Sequence, residues 1–159
     1  MIDAGGIRTE CLSLQGRTDI IIQGFRLSGA THNAMYLASV SRIKLLDLTM
    51  EKWVNFGIMA GGVNVECEIA RNVIDGGGSV QSGMWLDSIA RSSIHHNAVR
   101  KAAKNGIAMS HGSNDNRIED NLCEYNGLTN EQAWAGLAVE VASTRNLVQR
   151  NVCQFNGHA

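Results

Sequence analysis

The chain has 159 residues with 17 glycines, no proline and a net charge of −1 from 14 basic and 15 acidic side chains. This length fits one domain, and the near-zero charge removes the electrostatic argument for nucleic acid or an anionic membrane, so neither is an expected partner. No apolar run reaches the roughly 18 residues of a membrane span, and residues 1–10 lack the features of a signal peptide. The localisation stays unknown from the sequence.

Six apolar triplets open six similar periods along the chain. They are LSL at 12–14, MYL at 35–37, IMA at 58–60, MWL at 84–86, IAM at 107–109 and LAV at 137–139. An anchor position follows each triplet by 13 or 14 residues, and the anchors are Phe25, Leu48, Asn72, Asn97, Asn121 and Asn151. The intervals between anchors are 23, 24, 25, 24 and 30 residues. An apolar residue three positions before each anchor predicts a second short strand in every period.

This regular spacing indicates a repeat architecture. No single period can bury its own apolar face, whereas periods stacked as coils about 4.8 Å apart bury all of these faces in one core. The triplets then form one parallel sheet, called the first sheet below. The longer last interval predicts a loop at residues 127–135 beside the first sheet, where it would contribute Glu131 and Trp134 as wall residues, with Trp134 as a candidate substrate-binding residue.

The repeat resembles the right-handed parallel β-helix of the pectin-lyase-like superfamily, with its parallel β-helix repeats, from about residue 11 to residue 157. The resemblance implies an all-β domain over residues 1–159, a single-stranded right-handed parallel β-helix of about six coils. It also implies an asparagine ladder in the turn after the second strand, at Asn72, Asn97, Asn121 and Asn151. A stacked Asn tolerates left-handed backbone geometry, and its amide can bond the turns above and below. The superfamily includes lyases, hydrolases, epimerases, tailspikes and scaffolds, and its members are often secreted.

The chain begins within a coil and stops after one, and no capping segment is visible in the sequence. Exposed strand edges are templates for association. We therefore expect either a piece of a longer chain or self-association through the terminal coil edges, at residues 11–27 and 137–157.

Alternation along the triplets predicts which side chains point outward from the first sheet. One outward column contains Tyr36 and Trp85, two coils or roughly 10 Å apart. An aromatic face suits the C–H face of a pyranose, so both residues are candidate substrate-binding residues for a polysaccharide. The alternative is an aromatic patch that a turn or a partner chain covers.

The next outward column contains Asp87, Ser110 and Glu140. An inverting glycosidase needs two carboxyl groups about 6.5 to 9.5 Å apart, which makes Asp87 and Glu140 candidate catalytic acids and Ser110 a candidate substrate-binding residue between them. Ser110-His111-Gly112 is similar to the Gly-His-Gly of polygalacturonases and adds His111 as a catalytic candidate, although no Asp-Asp pair accompanies it. The alternative is a pair of solvated acids and a turn histidine.

Arg100, Lys101 and Lys104 follow the third strand of their period, in the predicted turn beside the first sheet. A β-elimination lyase needs a base for the C5 proton and a cation for the uronate carboxylate, so Lys101 and Lys104 are catalytic candidates. The alternative is a solvated turn. No metal-ligand set and no phosphate-binding loop is recognisable, so neither a metal nor another cofactor is expected.

The four cysteines form no C-x-x-C pair, and we expect reduced, buried thiols. Aligning the last two periods places Cys123 against Cys153 and Tyr125 against Phe155 as stacked neighbours. A disulfide between the two cysteines is the alternative to a ladder of core thiols.

Two functions remain open from the sequence. One is a carbohydrate-active protein that binds or cleaves a polysaccharide along the first sheet, as a lyase, hydrolase or epimerase. The other is a non-catalytic β-helix, such as a scaffold, an adhesin or a tailspike-like segment. Because fold alone does not decide chemistry, whether the protein is an enzyme stays open.

Overall fold

The computed structural model describes residues 1–127 and 134–157, and these residues form 21 short strands and no helix. The chain winds repeatedly through three parallel sheets, so that each full coil contributes one strand to each sheet. The predicted all-β parallel solenoid is confirmed. Six passages through the first sheet enclose five complete turns, slightly fewer than the six coils expected.

The strands of each sheet stack in chain order along the solenoid axis. The first sheet contains β2 (Glu10–Gln15), β5 (Asn33–Ala38), β8 (Ile58–Gly61), β12 (Met84–Asp87), β16 (Ile107–Ser110) and β19 (Leu137–Val139). The second sheet contains β3 (Ile21–Gln23), β6 (Lys44–Leu46), β10 (Glu68–Ala70), β14 (Ser93–His95), β17 (Arg117–Glu119) and β20 (Leu147–Gln149). The third sheet contains β1 (Ile2–Asp3), β4 (Arg26–Ser28), β7 (Thr49–Glu51), β11 (Val73–Asp75), β15 (Ala98–Arg100), β18 (Leu122–Glu124) and β21 (Val152–Gln154). A two-stranded sheet of β9 (Asn64–Val65) and β13 (Ile89–Ala90) completes the set.

The core consists of equivalent apolar residues stacked from coil to coil. In the second sheet, Leu45, Ile69, Ile94 and Ile118 pair in register, and all four are fully buried. Burying one such side chain stabilises the fold by roughly 1.5–3 kcal/mol. The apolar residues three positions before the anchors therefore form a continuous hydrophobic column in the second sheet.

The predicted asparagine ladder is present between the second and third sheets. The Asn97 backbone N–H and Nδ2 both donate to Asn121 Oδ1, at 3.0 and 2.9 Å, and Asn97 Nδ2 also donates to Ile69 O at 2.8 Å. Asn72 makes the same contacts to Asn97, and Asn121 makes them to Asn151. Each amide thus satisfies buried groups on two coils, which an apolar side chain could not do.

The left-handed geometry expected of the ladder asparagines belongs to another residue. The residue directly before each ladder Asn has the positive φ, and these residues are Arg71 at 57°, His96 at 55°, Asp120 at 55° and Arg150 at 54°. The ladder Asn must point its amide into the solenoid wall, where it is buried. The corner is therefore made one residue earlier, where the side chain faces solvent.

Two further amide ladders occur at five-residue spacing on either side of the predicted one. Asn116 Nδ2 donates to Asn146 Oδ1, and Asn126 Nδ2 donates to Asn156 Oδ1, each at 2.9 Å. The spacing of five follows from a three-residue strand and a two-residue corner. All three ladders are present only in the last two coils, because Cys67, Ser92 and Ala102 occupy these positions in earlier coils.

Each corner that flanks the second sheet carries a column of charged residues in left-handed geometry, and these are called the corner charge columns. The column before the second sheet contains Asp19, Arg42, Glu66, Arg91, Asp115 and Arg145, and the column after it contains Asp47, Arg71, His96, Asp120 and Arg150. Acid and base alternate along the whole first column. Arg42 Nε lies 2.6 Å from Asp19 Oδ1, and Arg145 Nε lies 2.6 Å from Asp115 Oδ1. The bond from Arg42 lowers the pKa of Asp19 to about 2.

The four glycines that precede triplets, Gly57, Gly83, Gly106 and Gly136, stack at the entrance to the first sheet. Ile58 N donates to Gly83 O at 2.9 Å, and Met84 N donates to Gly106 O at 2.8 Å. A Cβ at Gly83 would meet both Gly106 O and the Val99 side chain at less than van der Waals distance. Glycine is needed here for close coil-to-coil approach.

Cys123 pairs in register with Cys153, and the rings of Tyr125 and Phe155 stack with centroids 5.1 Å apart, both as predicted. All four cysteines are free: Cys67 and Cys123 are buried, Cys11 is half-buried and Cys153 is exposed. The expectation of buried thiols was therefore wrong for Cys153, which lies on the last described coil. Its hydrogen bond with Cys123 lowers the pKa of Cys153 to about 7 and raises that of Cys123.

Candidate functional site

Tyr36, Met59 and Trp85 lie side by side on the outward face of the first sheet. The parallel register pairs Tyr36 with Met59 and Met59 with Trp85, so the two aromatic residues are two coils apart, as predicted. All three side chains are partly exposed. Phe56 adds a second ring beside Trp85, with centroids 6.2 Å apart and planes tilted by 42°. These four residues form an uncharged strip, called the aromatic column.

Asp87 and His111 are brought into contact at the end of neighbouring strands. Asp87 pairs in register with Ser110, and its Oδ1 lies 2.9 Å from His111 Nδ1. The Asp87 side chain is 21% exposed and that of His111 is 58% exposed. When Nδ1 carries a proton it donates to the carboxylate, which holds both groups at the surface of the sheet.

A corner of left-handed backbone positions the imidazole of His111. The residue follows β16 with φ of 49°, and its carbonyl oxygen accepts a hydrogen bond of 2.8 Å from Ser88 Oγ. Ser88 has the same left-handed geometry one coil earlier, with φ of 51°. The repeated corner therefore places the imidazole beside the carboxylate of the preceding coil.

Glu140 lies one coil beyond Ser110 in the same outward column. Its backbone N–H donates to Met109 O at 2.8 Å, and its Oε1 accepts a hydrogen bond of 3.5 Å from Asn105 Nδ2. The buried Asn105 uses its Oδ1 to accept from Ala135 N at 2.8 Å, so its amide is held in one orientation. Asp87 and Glu140 are thus two coils apart, with backbones roughly 10 Å from each other.

Ser110 lies between the two acids but is out of reach of solvent. Its residue is 0% exposed, and its Oγ has no hydrogen-bond partner among the described residues. Ala108, the other outward position of β16, is also 0% exposed. The outward side of β16 is therefore covered, and a sugar could touch the Ser110 hydroxyl only after the covering groups move.

Arg100 and Lys101 lie where the third sheet ends and the turn toward β16 begins. Arg100 is the last residue of β15 in the third sheet, and Lys101 follows it directly. Both cations bind Asp75, with Arg100 Nε at 3.2 Å and Lys101 Nζ at 3.5 Å from its Oδ2. The prediction that Arg100 lies in the turn beside the first sheet was wrong, because the third strand extends through Arg100, whereas Lys101 begins the turn that leads to β16.

Lys104 and Trp134 meet at the border of the first sheet. Lys104 Nζ lies 5.0 Å from the centroid of the Trp134 ring, a distance typical of a cation–π contact. The Trp134 Nε1 is buried and has no hydrogen-bond partner among the described residues. The rest of the predicted loop, residues 128–133 with Glu131, lies outside the described residues.

Sequence reasoning missed two residues of this region, Phe56 and Asn105. Both directly precede a glycine of the stacked column, Gly57 and Gly106. Backbone bonds from Ala34 to Phe56 and from Gly83 to Asn105 show that these positions line the same border of the first sheet. The position directly before each repeated glycine could therefore have identified these two residues as part of the border of the first sheet.

A surface depression lies beside the second sheet and not on the aromatic column. It has a volume of about 370 Å³ and is lined by Asp19, Ile21, Arg42, Lys44 and Glu66. Arg42 and Lys44 already bind Asp19 and Glu68, which leaves no unpaired cation in its lining. Within residues 1–127 and 134–157, no three His, Cys, Asp or Glu side chains converge as metal ligands. No helix in that part of the chain could cross a membrane.

The fold and the stacked corners define a right-handed parallel β-helix. A family model for right-handed β-helix regions matches residues 10–159. The chain therefore belongs to the right-handed β-helix family. No curated protein matches the chain.

Proposed function

We propose that the protein binds a polysaccharide along the outward face of its first sheet and cleaves it there. The observation that carries this proposal is the aromatic column, in which Tyr36 and Trp85 are held two coils apart on parallel strands separated by β8. Partly exposed aromatic rings on a rigid sheet suit the apolar faces of sugar rings. A glycan bound to both rings runs along the solenoid axis and reaches the acids of the neighbouring column.

Asp87 and Glu140 are the proposed catalytic carboxyl groups. Their backbones are roughly 10 Å apart, and side chains that lean toward each other reach the separation at which an inverting glycosidase holds a water molecule. His111 orients Asp87 through the 2.9 Å contact, and Asn105 orients Glu140. Elimination from a uronate is the less supported chemistry, because Lys101 is bound to Asp75 and Lys104 lies over Trp134.

Binding is tested by measuring the affinity of the protein for uronate polymers and neutral glycans. Replacing Trp85 or Tyr36 by alanine should weaken binding about tenfold, since each ring contributes a stacking contact. Phe25→Ala is the matched control, because Phe25 is 41% exposed but lies at the corner between the second and third sheets. Equal effects of all three substitutions would show that the aromatic column is not the binding face.

Cleavage is tested on the same polymers by following reducing ends and the absorbance of unsaturated products. Asp87→Asn and Glu140→Gln should each abolish the release of reducing ends while the glycan still binds. Loss of activity in Lys104→Ala, with an unsaturated product, would replace the hydrolytic proposal by elimination. Glu124→Gln, on the outward side of β18 in the third sheet, is the control for a general effect of charge.

A non-catalytic scaffold, adhesin or tailspike-like segment is the second candidate. It is favoured by the covered side of β16, because Ala108 and Ser110 are both 0% exposed between the two acids. A catalytic water and a sugar both need space at that position. Binding without any product, unchanged by Asp87→Asn, would establish this candidate.

We also propose that the protein self-associates through its terminal coil edges. Val139 and Val148 point inward on the last described coil and are 40% and 44% exposed, whereas their neighbours Met109 and Ile118 are fully buried. Exposed apolar side chains beside free strand edges favour pairing with another β edge. Light scattering across a concentration series should show a mass above that of one chain, reduced in Val148→Lys. A strictly monomeric species at every concentration would rule this contact out.

A further inference from the structure

We infer that the glycan bound at the aromatic column is neutral and carries no uronate carboxylates. This inference rests on the proposed polysaccharide binding. The charge of the three sheets supports it: none of the six described strands of the first sheet contains Lys or Arg, whereas the second and third sheets each contain two. The charged residues within the first-sheet strands are Glu10 and Asp87, and Glu140 follows β19 directly.

The basic side chains nearest the two candidate acids are engaged by other groups. Lys104 lies over the Trp134 ring, and His111 contacts the Asp87 carboxylate. Lys101 is held by Asp75 at the end of the third sheet. Arg17 lies two residues after the end of β2, in the turn toward the second sheet. No basic side chain therefore projects from the strands that carry the aromatic column.

A uronate polymer places a carboxylate on each of its sugars. Bound along the aromatic column, these carboxylates would meet Asp87 and Glu140, and like charges at short range repel each other. A neutral sugar instead offers hydroxyl groups, which can donate to the two carboxylates, and C–H faces, which can stack on Trp85 and Tyr36. The same side chains that recognise a neutral glycan thus reject an acidic one.

The test compares one polymer in two charge states: polygalacturonate and the same preparation after chemical reduction of its carboxyl groups. At low salt we expect the reduced polymer to bind about tenfold more tightly, and we expect added salt to narrow this difference by screening. Asp87→Asn and Glu140→Gln should raise the affinity for the uronate form, so that the ratio of the two affinities, reduced polymer to uronate polymer, comes closer to one. Glu124→Gln, with its carboxylate on the third sheet, should leave the ratio unchanged.

The outcomes separate this inference from the proposed function. Tighter binding of the uronate form, weakened by Trp85→Ala, would overturn the neutral-glycan inference and leave polysaccharide binding in place. Equal binding of both forms, insensitive to salt and to Asp87→Asn, would also overturn it. A third outcome is that neither form binds and that a panel of neutral glucans, mannans and xylans does not bind either. This outcome would overturn the proposed function and the inference together.

Discussion

The first sheet and the second sheet are built on the same coils but present opposite surfaces. The outward face of the first sheet is uncharged along the aromatic column and acidic beyond it, and its Tyr36 and Trp85 rings are partly exposed. The corners of the second sheet are filled by charge columns in which neighbouring coils are joined by ion pairs, such as Arg71 to Asp47 at 2.7 Å. The charged groups at the second sheet are thus paired with one another, whereas the aromatic rings of the first sheet have surface that a ligand can contact.

This difference indicates where the fold maintains its register and where it can bind a ligand. Buried amide ladders and paired corners satisfy polar groups between coils, so a ligand would have to break these contacts to bind there. Tyr36 and Trp85 offer their faces without such competition. A substitution in the ladder should therefore reduce stability, and a substitution in the aromatic column should reduce binding.

The largest loss of stability is expected from Asn97→Ala. The substitution removes the acceptor of the buried Asn72 N–H, one of the two acceptors of Asn72 Nδ2, and the side-chain donor to Ile69 O. We expect the free energy of unfolding to fall by about 4 kcal/mol. Chemical denaturation measures this change. Asn55→Ala is the control, because the Asn55 side chain makes no hydrogen bond within the described residues, and a similar loss there would contradict a special role of the ladder.

Gly83→Ala is expected to have the next largest effect. The added methyl would meet Gly106 O and the Val99 side chain, so two coils would have to separate locally. Such overpacking costs about 2 kcal/mol. Gly77→Ala is the matched control, since a Cβ there meets one atom, Asp75 Oδ1, at 3.4 Å. Unfolding curves of the two variants that coincide would show that the glycine column tolerates side chains.

Much of this fold could be predicted because each coil repeats the same local solution. The Asn anchors and the triplets identified the ladder and all six first-sheet strands, since both depend on residues that face the core in every coil. The ladders at Asn116 and Asn126 were missed because Ser92 and Ala102 replace the amide one coil earlier. A pattern that appears in only two coils is weak in the sequence.

The candidate site was less predictable because it depends on contacts between coils. Alternation correctly placed Trp85 and Asp87 outward, and the register brought His111 to Asp87. The complete burial of Ser110 depends on what packs over β16 in the folded chain, and the ion pair of Lys101 with Asp75 joins two neighbouring coils. Short repeats do not encode either property in their spacing.

Trp85→Ala and Met84→Ala compare an outward and an inward side chain within one strand of the first sheet. Trp85 is partly exposed and Met84, its neighbour in β12, is fully buried. We expect Trp85→Ala to lower the free energy of unfolding by about 1 kcal/mol, through loss of the contact with Phe56. Met84→Ala should lower it by about 3 kcal/mol, as a cavity in the core does. A loss for Trp85→Ala as large as that for Met84→Ala would identify the ring as part of the core and not as an open binding surface.

The smallest effect is expected from Arg42→Gln in the corner charge columns. Arg42 and Asp19 are both exposed, and exposed pairs stabilise little and are screened by salt. Because the folded pKa of Asp19 is about 2, below its unfolded value near 4, the pair stabilises the fold above about pH 4 and loses this effect as pH falls toward 2. Melting temperatures of the parent and the variant should therefore differ slightly at neutral pH and converge in acid.

The matched control for this convergence is Arg8→Gln. Arg8 forms no ion pair within the described residues, so its variant should differ from the parent by a small amount that does not vary between pH 4 and pH 2. High salt should remove the Arg42 difference at neutral pH, because screening acts on the same Coulomb attraction that protonation of Asp19 abolishes. A gap that stays constant from neutral pH to pH 2 would mean that Arg42 acts through its 2.8 Å hydrogen bond to Thr18 Oγ1 and not through the carboxylate. The corner columns would then hold the coils together by hydrogen bonds that do not require an ionised acid, as the buried amide ladders do.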